Sequence, residues 1–339
     1  MNGPGAPLGG GDVARHVPEK ALVLTAGLGT RLTPLTYVRA KAAVPVNGET
    51  LARRAVRWLV SQGVRDLVLN LHHMPATIAA SVGDGSDLGA RVRYSWEQPL
   101  LGSAGGPRHA LPLLVDSPGP TGGTFLIVNG DTLTDVDVAA MVATHRAQGA
   151  AVTMALIPNP RPDKYGGVQV ADDRWVTGFS RRGSGEASYH FIGVQVVESR
   201  VFANLDDGVP AESVGALYPG LIAREKDSVA AFISNASFRD IGTPTDYLAT
   251  SAELASIEGD CMTSLNGTVI DATAAVLRCA VWDDVRIGAG AEIVESIVCD
   301  GVTIPAGARY RRCAIVLAGA RSPRDRERID GDLLISEID

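Results

Sequence analysis

LVLTAGLGTRLTPLTYVRAKAAVPVNG, residues 22–48, opens as an apolar run of strand length and breaks into a glycine-rich loop. A strand feeding A-G-x-G-T-R predicts that Gly27 and Gly29 take backbone conformations closed to other residues, so that successive N–H groups turn toward bound phosphates. Ala26, Gly27, Leu28, Gly29, Thr30 and Arg31 are the residues this reading assigns to the phosphate-bearing ligand. Arg31 offers a planar, permanently charged fork for phosphate oxygens, and Lys41 brings a second cation on the same loop. The loop is not a P-loop, because G-x-x-x-x-G-K-[ST] is absent. It fits a dinucleotide fingerprint badly, because Leu32 stands where the third glycine belongs and no acid ends the next strand. A plain glycine turn would leave Arg31 and Lys41 without a reason.

Outward from this loop the pattern continues as a helix over about 50–62 and a strand in VRDLVLNL, a βαβ opening. Short apolar runs recur at 90–96, 124–131, 151–158 and 190–197, with helical stretches such as VDVAAMVATHRAQG between them. The predicted fold class is α/β: a Rossmann-like, mainly parallel sheet with helices on both faces. Its ligand crevice lies at the carboxyl ends of the strands. The glycine loop and Asp131, which follows TFLIVNG, both reach that edge.

After a helix predicted over 243–256 the character changes. Residues 268–318 repeat with a period of 17: Ile270, Ile287, Ile304; Ala274, Ala291, Ala308; Cys279, Ser296, Cys313; Val281, Val298, Ile315. Within each unit small or apolar residues return about every six positions, and Gly288 and Gly290 sit where a tight turn is wanted. This is the mark of a solenoid of short strands stacked coil upon coil, and it resembles the left-handed β-helix of hexapeptide repeats. The predicted organisation is a disordered segment at 1–18, a catalytic domain at 19–257, the β-helix at 258–320 and a tail at 321–339. The tail reads either as a capping strand or as loose chain.

Bulk properties narrow the partners. At 339 residues, with 45% hydrophobic and 20% charged residues, the chain is long enough for one large domain and a smaller one. No apolar run approaches a membrane span, and a net charge of −7 argues against a nucleic-acid-binding surface. Cys261, Cys279, Cys299 and Cys313 show no C-x-x-C spacing; they read as buried apolar residues of a cytoplasmic protein, not as a zinc site or a disulfide framework.

The run G-L-G-T-R-L-T-P-L-T, followed by a Lys and then V-P-V, resembles the signature of sugar-1-phosphate nucleotidyltransferases over about residues 20–250, with mannose-1-phosphate guanylyltransferase-like members the most similar. One departure is Ala40, where the family usually has Pro. The resemblance implies that the segment wraps an NTP, that Lys41 contacts phosphate near the reacting centre, and that Asp131 is a ligand of Mg²⁺. It further implies that Asp240, in RDIGTPTDYL, completes the metal site; taken by itself, that residue could instead pair with Arg239 or cap the turn. Asp135 and Asp137 read as a helix-capping pair or as solvated residues. In WEQPLLGSAGG, residues Leu101, Gly102, Ser103, Ala104 and Gly105 resemble the family's L-G-T-A-G, where absent side chains let the nucleotide lie close to the backbone. Gln98 reads as a base-edge contact or as a surface residue, and His72, His73 and His109 as surface residues. Tyr165 and Gly166 resemble the family's sugar-binding Tyr-Gly. The usual F-x-E-K-P is replaced by FSRRG, so Arg182 takes the sugar-phosphate role while Arg181 cannot accept hydrogen bonds as Glu would. The usual Asn-Ala-Gly has become Phe191, Ile192 and Gly193.

The implied reaction joins an NTP to a sugar 1-phosphate and releases pyrophosphate, with catalytic Arg31, Lys41 and Asp131 and a Mg²⁺ cofactor. The similarity favours GTP and a mannose- or heptose-type acceptor. Another base, or a cyclitol 1-phosphate, stands as the alternative. A non-catalytic regulatory subunit should have lost Arg31, Lys41, Asp131 or Asp240, and a glycosyltransferase should carry a D-x-D motif, which NGDTLTD lacks. The β-helix implies a homodimer or larger homo-oligomer.

Overall fold

Nine segments form the central sheet, and its middle strands are apolar enough to bury both faces against helices. They are β1 (Lys20–Leu24), β2 (Asp66–Leu71), β3 (Arg91–Trp96), β4 (Thr124–Asn129), β5 (Val152–Pro158), β6 (Gly167–Val170), β7 (Val176–Ser180), β8 (Tyr189–Glu198) and β9 (Val229–Ile233). The structure, a computed structural model, describes residues 17–116, 122–259, 262–264 and 266–339. The order is β7-β6-β8-β4-β1-β2-β3, with β5 pairing β8 and β9. Strands β3, β2, β1 and β4 run parallel; β8 is antiparallel to both β4 and β5, and β9 is parallel to β5. The sheet is therefore mixed and mostly parallel.

Alternation along β1 shows how the layers are built. Ala21 and Val23 face a core completed by α1 (Leu51–Ser61), α2 (Pro75–Val82) and α4 (Val138–Gln148). Leu22 faces the opposite core, completed by α3 (Gly102–Leu114) and α5 (Tyr218–Arg224). Helix α1 follows from its sequence: Leu51, Ala52, Ala55, Val56 and Leu59 form one buried stripe, and the Thr50 side chain accepts from the Arg53 N–H at its start. Asp137 caps α4 in the same way, whereas Asp135 accepts from the Ser237 N–H, so only one of the expected pair is a helix cap. The last helix of this half is α6 (Pro244–Glu258), capped by Thr243.

Beyond α6 three parallel ladders stack at the expected spacing. Val269 pairs with Arg286 and Arg286 with Thr303; Ala275 with Glu292 and Glu292 with Arg309; Ala280 with Ile297 and Ile297 with Ala314. Gly290 has φ 66°, as a tight turn requires, but Gly288 does not; a Cβ there would lie 2.7 Å from the Ala306 N, so close stacking of the coils demands that glycine. Left-handed corners recur 17 residues apart at Gly290 and Gly307, at Gly267, Asp284 and Gly301, and, on non-glycine residues throughout, at Arg278, Glu295 and Arg312. The tail is a cap. Residues 333–337 pair antiparallel with 313–317, and 327–330 pair with 333–337, so the chain beyond residue 320 continues the β-helical sheet. Of the expected disordered segment, residues 1–16 lie outside the described residues, while Val17 packs against the core and Pro18 is buried.

The two halves share one core: Leu32, Leu35, Val44 and Tyr247 from the first pack with Trp282, Cys299, Val316 and Leu334 from the second. Cys279, Cys299 and Cys313 are free and buried, and burial pushes their thiols up; Cys261 lies outside the described residues.

Candidate active site

Parallel pairing of β1 with β4 sets Leu24 beside Asn129, so both strands release their loops at the same edge. The Gly130 N–H donates to the Leu24 carbonyl over 2.9 Å, and a Cβ on Gly130 would lie 2.7 Å from that oxygen. Only glycine allows this approach, which brings Asp131 against the glycine loop. A two-residue ladder between 133–134 and 238–239 carries Asp240 to the same place.

The result is a cavity of about 310 Å³ lined by Arg31, Asp131, Lys164, Tyr165, His190 and Asp240, together with Gly166, Phe191, Gly193 and Phe238. Lys41 pairs with Asp131. Lys164, which the sequence reading passed over, sits 2.8 Å from Asp240 and 3.0 Å from Asp246. The Tyr165 hydroxyl donates to Asp240 over 2.9 Å. Burial works to raise the Asp240 pKa, but hydrogen bonds from Lys164 and Tyr165, with the charges of Lys164 and Lys41, hold it below the usual carboxylate range. Arg31 makes no ion pair among the described residues, and its guanidinium borders the same space over Gly242 as Asp240 does.

Two hard carboxylates on one cavity, each balanced by an ammonium, form a donor set suited to a divalent cation. A cation there would release both lysines to act on anions.

The loop is held from behind. The Thr25 and Ala26 N–H groups donate to the Asn70 side-chain oxygen over 2.6 and 3.3 Å, and the Asn70 amide donates to Glu97 over 2.7 Å. Glu97 also accepts from the Leu101 N–H over 2.9 Å. These two residues, 3% and 1% exposed, tie the glycine loop to the 101–105 segment. His72 and His73 join that scaffold as well: their rings reach the carbonyls of Glu97 and Thr36, at 3.0 and 3.1 Å.

Several predicted residues fall differently from their expected roles. Gly29 has φ 62° and its Cβ would meet Thr36 Cγ2 at 2.7 Å, as a special backbone position requires. Gly27 has no positive φ, and a Cβ there meets nothing within 4 Å, so the fold itself does not demand glycine. The space left by small residues at 102–105 is filled by the chain. The Ala104 and Gly105 N–H groups donate to the Ala211 carbonyl, Ser103 bonds Glu212, and Cβ atoms on Gly102 and Gly105 would strike Ala211 O and Val209 O at 2.8 and 2.6 Å. Gln98 is exposed, and Arg181 and Arg182 lie exposed between β7 and β8, outside the cavity lining. Gly193, at φ 80°, lets β8 close on Asn129 and Thr132 beside Asp131. His109 pairs on the surface with Asp207.

His190 lines the same cavity. Its ring lies 4.3 Å from that of Tyr165 and 4.8 Å from that of Phe238, and neither ring nitrogen has a hydrogen-bond partner among the described residues. Burial, opposed by Asp240, pushes its pKa down to about 4.

Residues 20–257 match the family model described as Nucleotidyl transferase. The chain belongs to that family. Among relatives, this nucleotidyltransferase is 26% identical to mannose-1-phosphate guanylyltransferase of Mycobacterium tuberculosis over 303 residues, 86% of this chain and 83% of the relative. It is 34% identical to N-acetylmuramate alpha-1-phosphate uridylyltransferase of Neisseria meningitidis over 205 residues, covering 60% and 83%. A UTP–glucose-1-phosphate uridylyltransferase of Synechocystis is 28% identical over 67% of this chain and 61% of the relative. These matches set the nucleotidyltransferase among the enzymes acting on sugar 1-phosphates. The crystal structure of HddC from Yersinia pseudotuberculosis has the same fold, with a TM-score of 0.60 and 20% identity over 70% of this chain and 99% of that one. Among the described residues of the nucleotidyltransferase, no helix is long and apolar enough to cross a membrane.

Proposed function

We propose that the protein joins GTP to a mannose- or heptose-type sugar 1-phosphate, releasing pyrophosphate, with Mg²⁺ held by Asp131 and Asp240. The observation that carries this reading is the convergence of Arg31, Asp131, Lys164 and Asp240 on one cavity, with Lys41 bonded to Asp131. A sugar-phosphate oxygen forms a bond to the α-phosphorus while the bond to the β-phosphate oxygen breaks. The nucleophile is already an anion, so no general base is required. What the protein must supply is alignment of two anions and positive charge where negative charge gathers.

Arg31 holds the β and γ oxygens, Lys41 the α-phosphate, and Lys164 meets the sugar phosphate in the part first assigned to Arg182. Bound Mg²⁺ supplies charge neutralisation at the α-phosphate. Tyr165, His190 and Phe238 offer an aromatic wall with one donor and one acceptor to the acceptor ring. The guanylyl reading is favoured by the Mycobacterium tuberculosis relative, which aligns over 86% of this chain. A uridylyl reading is the alternative, favoured by the Neisseria and Synechocystis relatives. The catalytic unit is assigned to 19–257, and the assembly to a homo-oligomer.

Pyrophosphate release from GTP, UTP, dTTP and ATP against mannose, glucose and heptose 1-phosphates decides base and acceptor together. GTP with mannose 1-phosphate should exceed the other pairs, and Asp131→Ala should lower turnover by at least about 10³-fold while remaining folded. Substantial Mg²⁺-dependent turnover in Asp131→Ala would overturn the assignment.

A further inference from the structure

Arg39 lies two residues before Lys41, yet its partners are 244 and 261 residues away, on the β-helix. Its Nε and one terminal nitrogen donate to Asp300 over 2.6 and 2.7 Å, and that terminal nitrogen also donates to Asp283 over 2.6 Å. The guanidinium, 18% exposed, also lies 5.5 Å from the Trp282 ring centroid. Asp283 and Asp300 occupy equivalent positions in successive coils, 17 residues apart. Like charges stacked in this way repel, and the fork of one arginine offsets both.

The other end of the loop is held by the same coil. The Trp282 indole N–H donates to the Tyr247 hydroxyl over 2.8 Å, and that hydroxyl donates to the Pro45 carbonyl over 2.6 Å. Between these anchors, Lys41–Ala43 form a single tight turn, with the Ala43 N–H bonded to the Ala40 carbonyl. The segment 39–45 is therefore clamped at both ends by Trp282 and its neighbours, and Lys41 projects from the middle toward Asp131.

We propose that Arg39 is a positioning residue, through which the β-helix fixes the loop that carries Lys41. The proposal rests on the phosphate-transfer reading above. A loose loop lets the Lys41 ammonium wander from the α-phosphate, and a misplacement of about 1 Å can cost on the order of 10²-fold in rate. The effect belongs in kcat, since Arg31 and the glycine loop bind the NTP without Arg39.

Arg39→Gln and the double variant Asp283→Asn/Asp300→Asn are compared with the full-length wild type by two readouts. One is steady-state kinetics on the NTP and sugar 1-phosphate found active. The other is amide hydrogen exchange across 38–46, which does not depend on activity. Both variants should exchange faster there and lose about 10- to 100-fold in kcat with KM for the NTP within about threefold. Arg39→Lys, which keeps a charge between the two carboxylates, should recover part of kcat. Should Arg39→Gln fail to fold, the Asp283→Asn/Asp300→Asn chain carries the test. Wild-type exchange with wild-type kcat, or faster exchange with kcat unchanged, overturns the positioning role. A wild type inactive on every NTP overturns the assigned reaction instead, and the exchange readout still decides whether the clamp exists.

Discussion

His190 stands between Tyr165 and Phe238 with both ring nitrogens unpartnered among the described residues, and its pKa of about 4 lies well under the ordinary 6.5 because burial disfavours the charged ring. Asp240 opposes that shift. Between pH 6.5 and about 4 the unfolded chain binds a proton at this residue and the folded chain does not. Stability therefore falls as pH falls through that window and is fully present above it. Asp240 acts lower: its depressed pKa gives stability that is lost only as pH drops below the ordinary carboxylate range. The melting temperature of His190→Phe should thus decline less between pH 6.5 and 4.5 than that of the wild type, and parallel declines would show that this ring titrates normally. Asp131 could be placed at the sheet's edge because it follows an apolar strand and Gly130, whereas Asp240 was marked only by the family resemblance. Lys164 went unread, because its place beside Asp240 and Asp246 is created only by the folded chain.

At the level of elements, the glycine loop and the 101–105 segment are parts of one scaffold, joined by the Asn70 and Glu97 side chains. Glu97→Gln keeps the size but turns one acceptor into a donor facing either the Asn70 amide or the Leu101 N–H. An unsatisfied buried donor costs about 1–3 kcal/mol. The urea midpoint should fall accordingly and KM for the NTP should rise, because both segments loosen together. Unchanged midpoint and KM would show the network to be dispensable. Nothing in the sequence marked Asn70 and Glu97, one on β2 and the other just past the end of β3, with no motif between them. The strands and the 17-residue repeat could be read because each is set by local periodicity. The occupation of Gly102 and Gly105 by Val209–Glu212 could not, since glycine signals close approach without naming what approaches. One long-range signal was present: a period of 17 stacks Asp283 on Asp300, and such a pair calls for a cation.

Across the whole molecule, the core that joins the halves sets how far they can be separated. Leu32, Leu35, Val44 and Val46 on the glycine-loop side meet Trp282, Ile297, Val316 and Leu334 on the β-helix, all buried. A chain ending at residue 259 would open that surface to water, including the underside of the loop that bears Arg31 and Lys41. Such a chain should be recovered mainly as aggregate and bind a hydrophobic dye strongly; a soluble, cooperative and active fragment would show the shared core to be unnecessary. The terminal hairpin has a different consequence. One ladder of coils ends on a strand running the opposite way, and the outermost strand, Glu327, Arg328, Ile329 and Asp330, presents charges of both signs along its free edge. A parallel coil from another molecule finds no matching register there, so this ladder cannot grow into a fibre from that end, and its length is written into the chain that makes it.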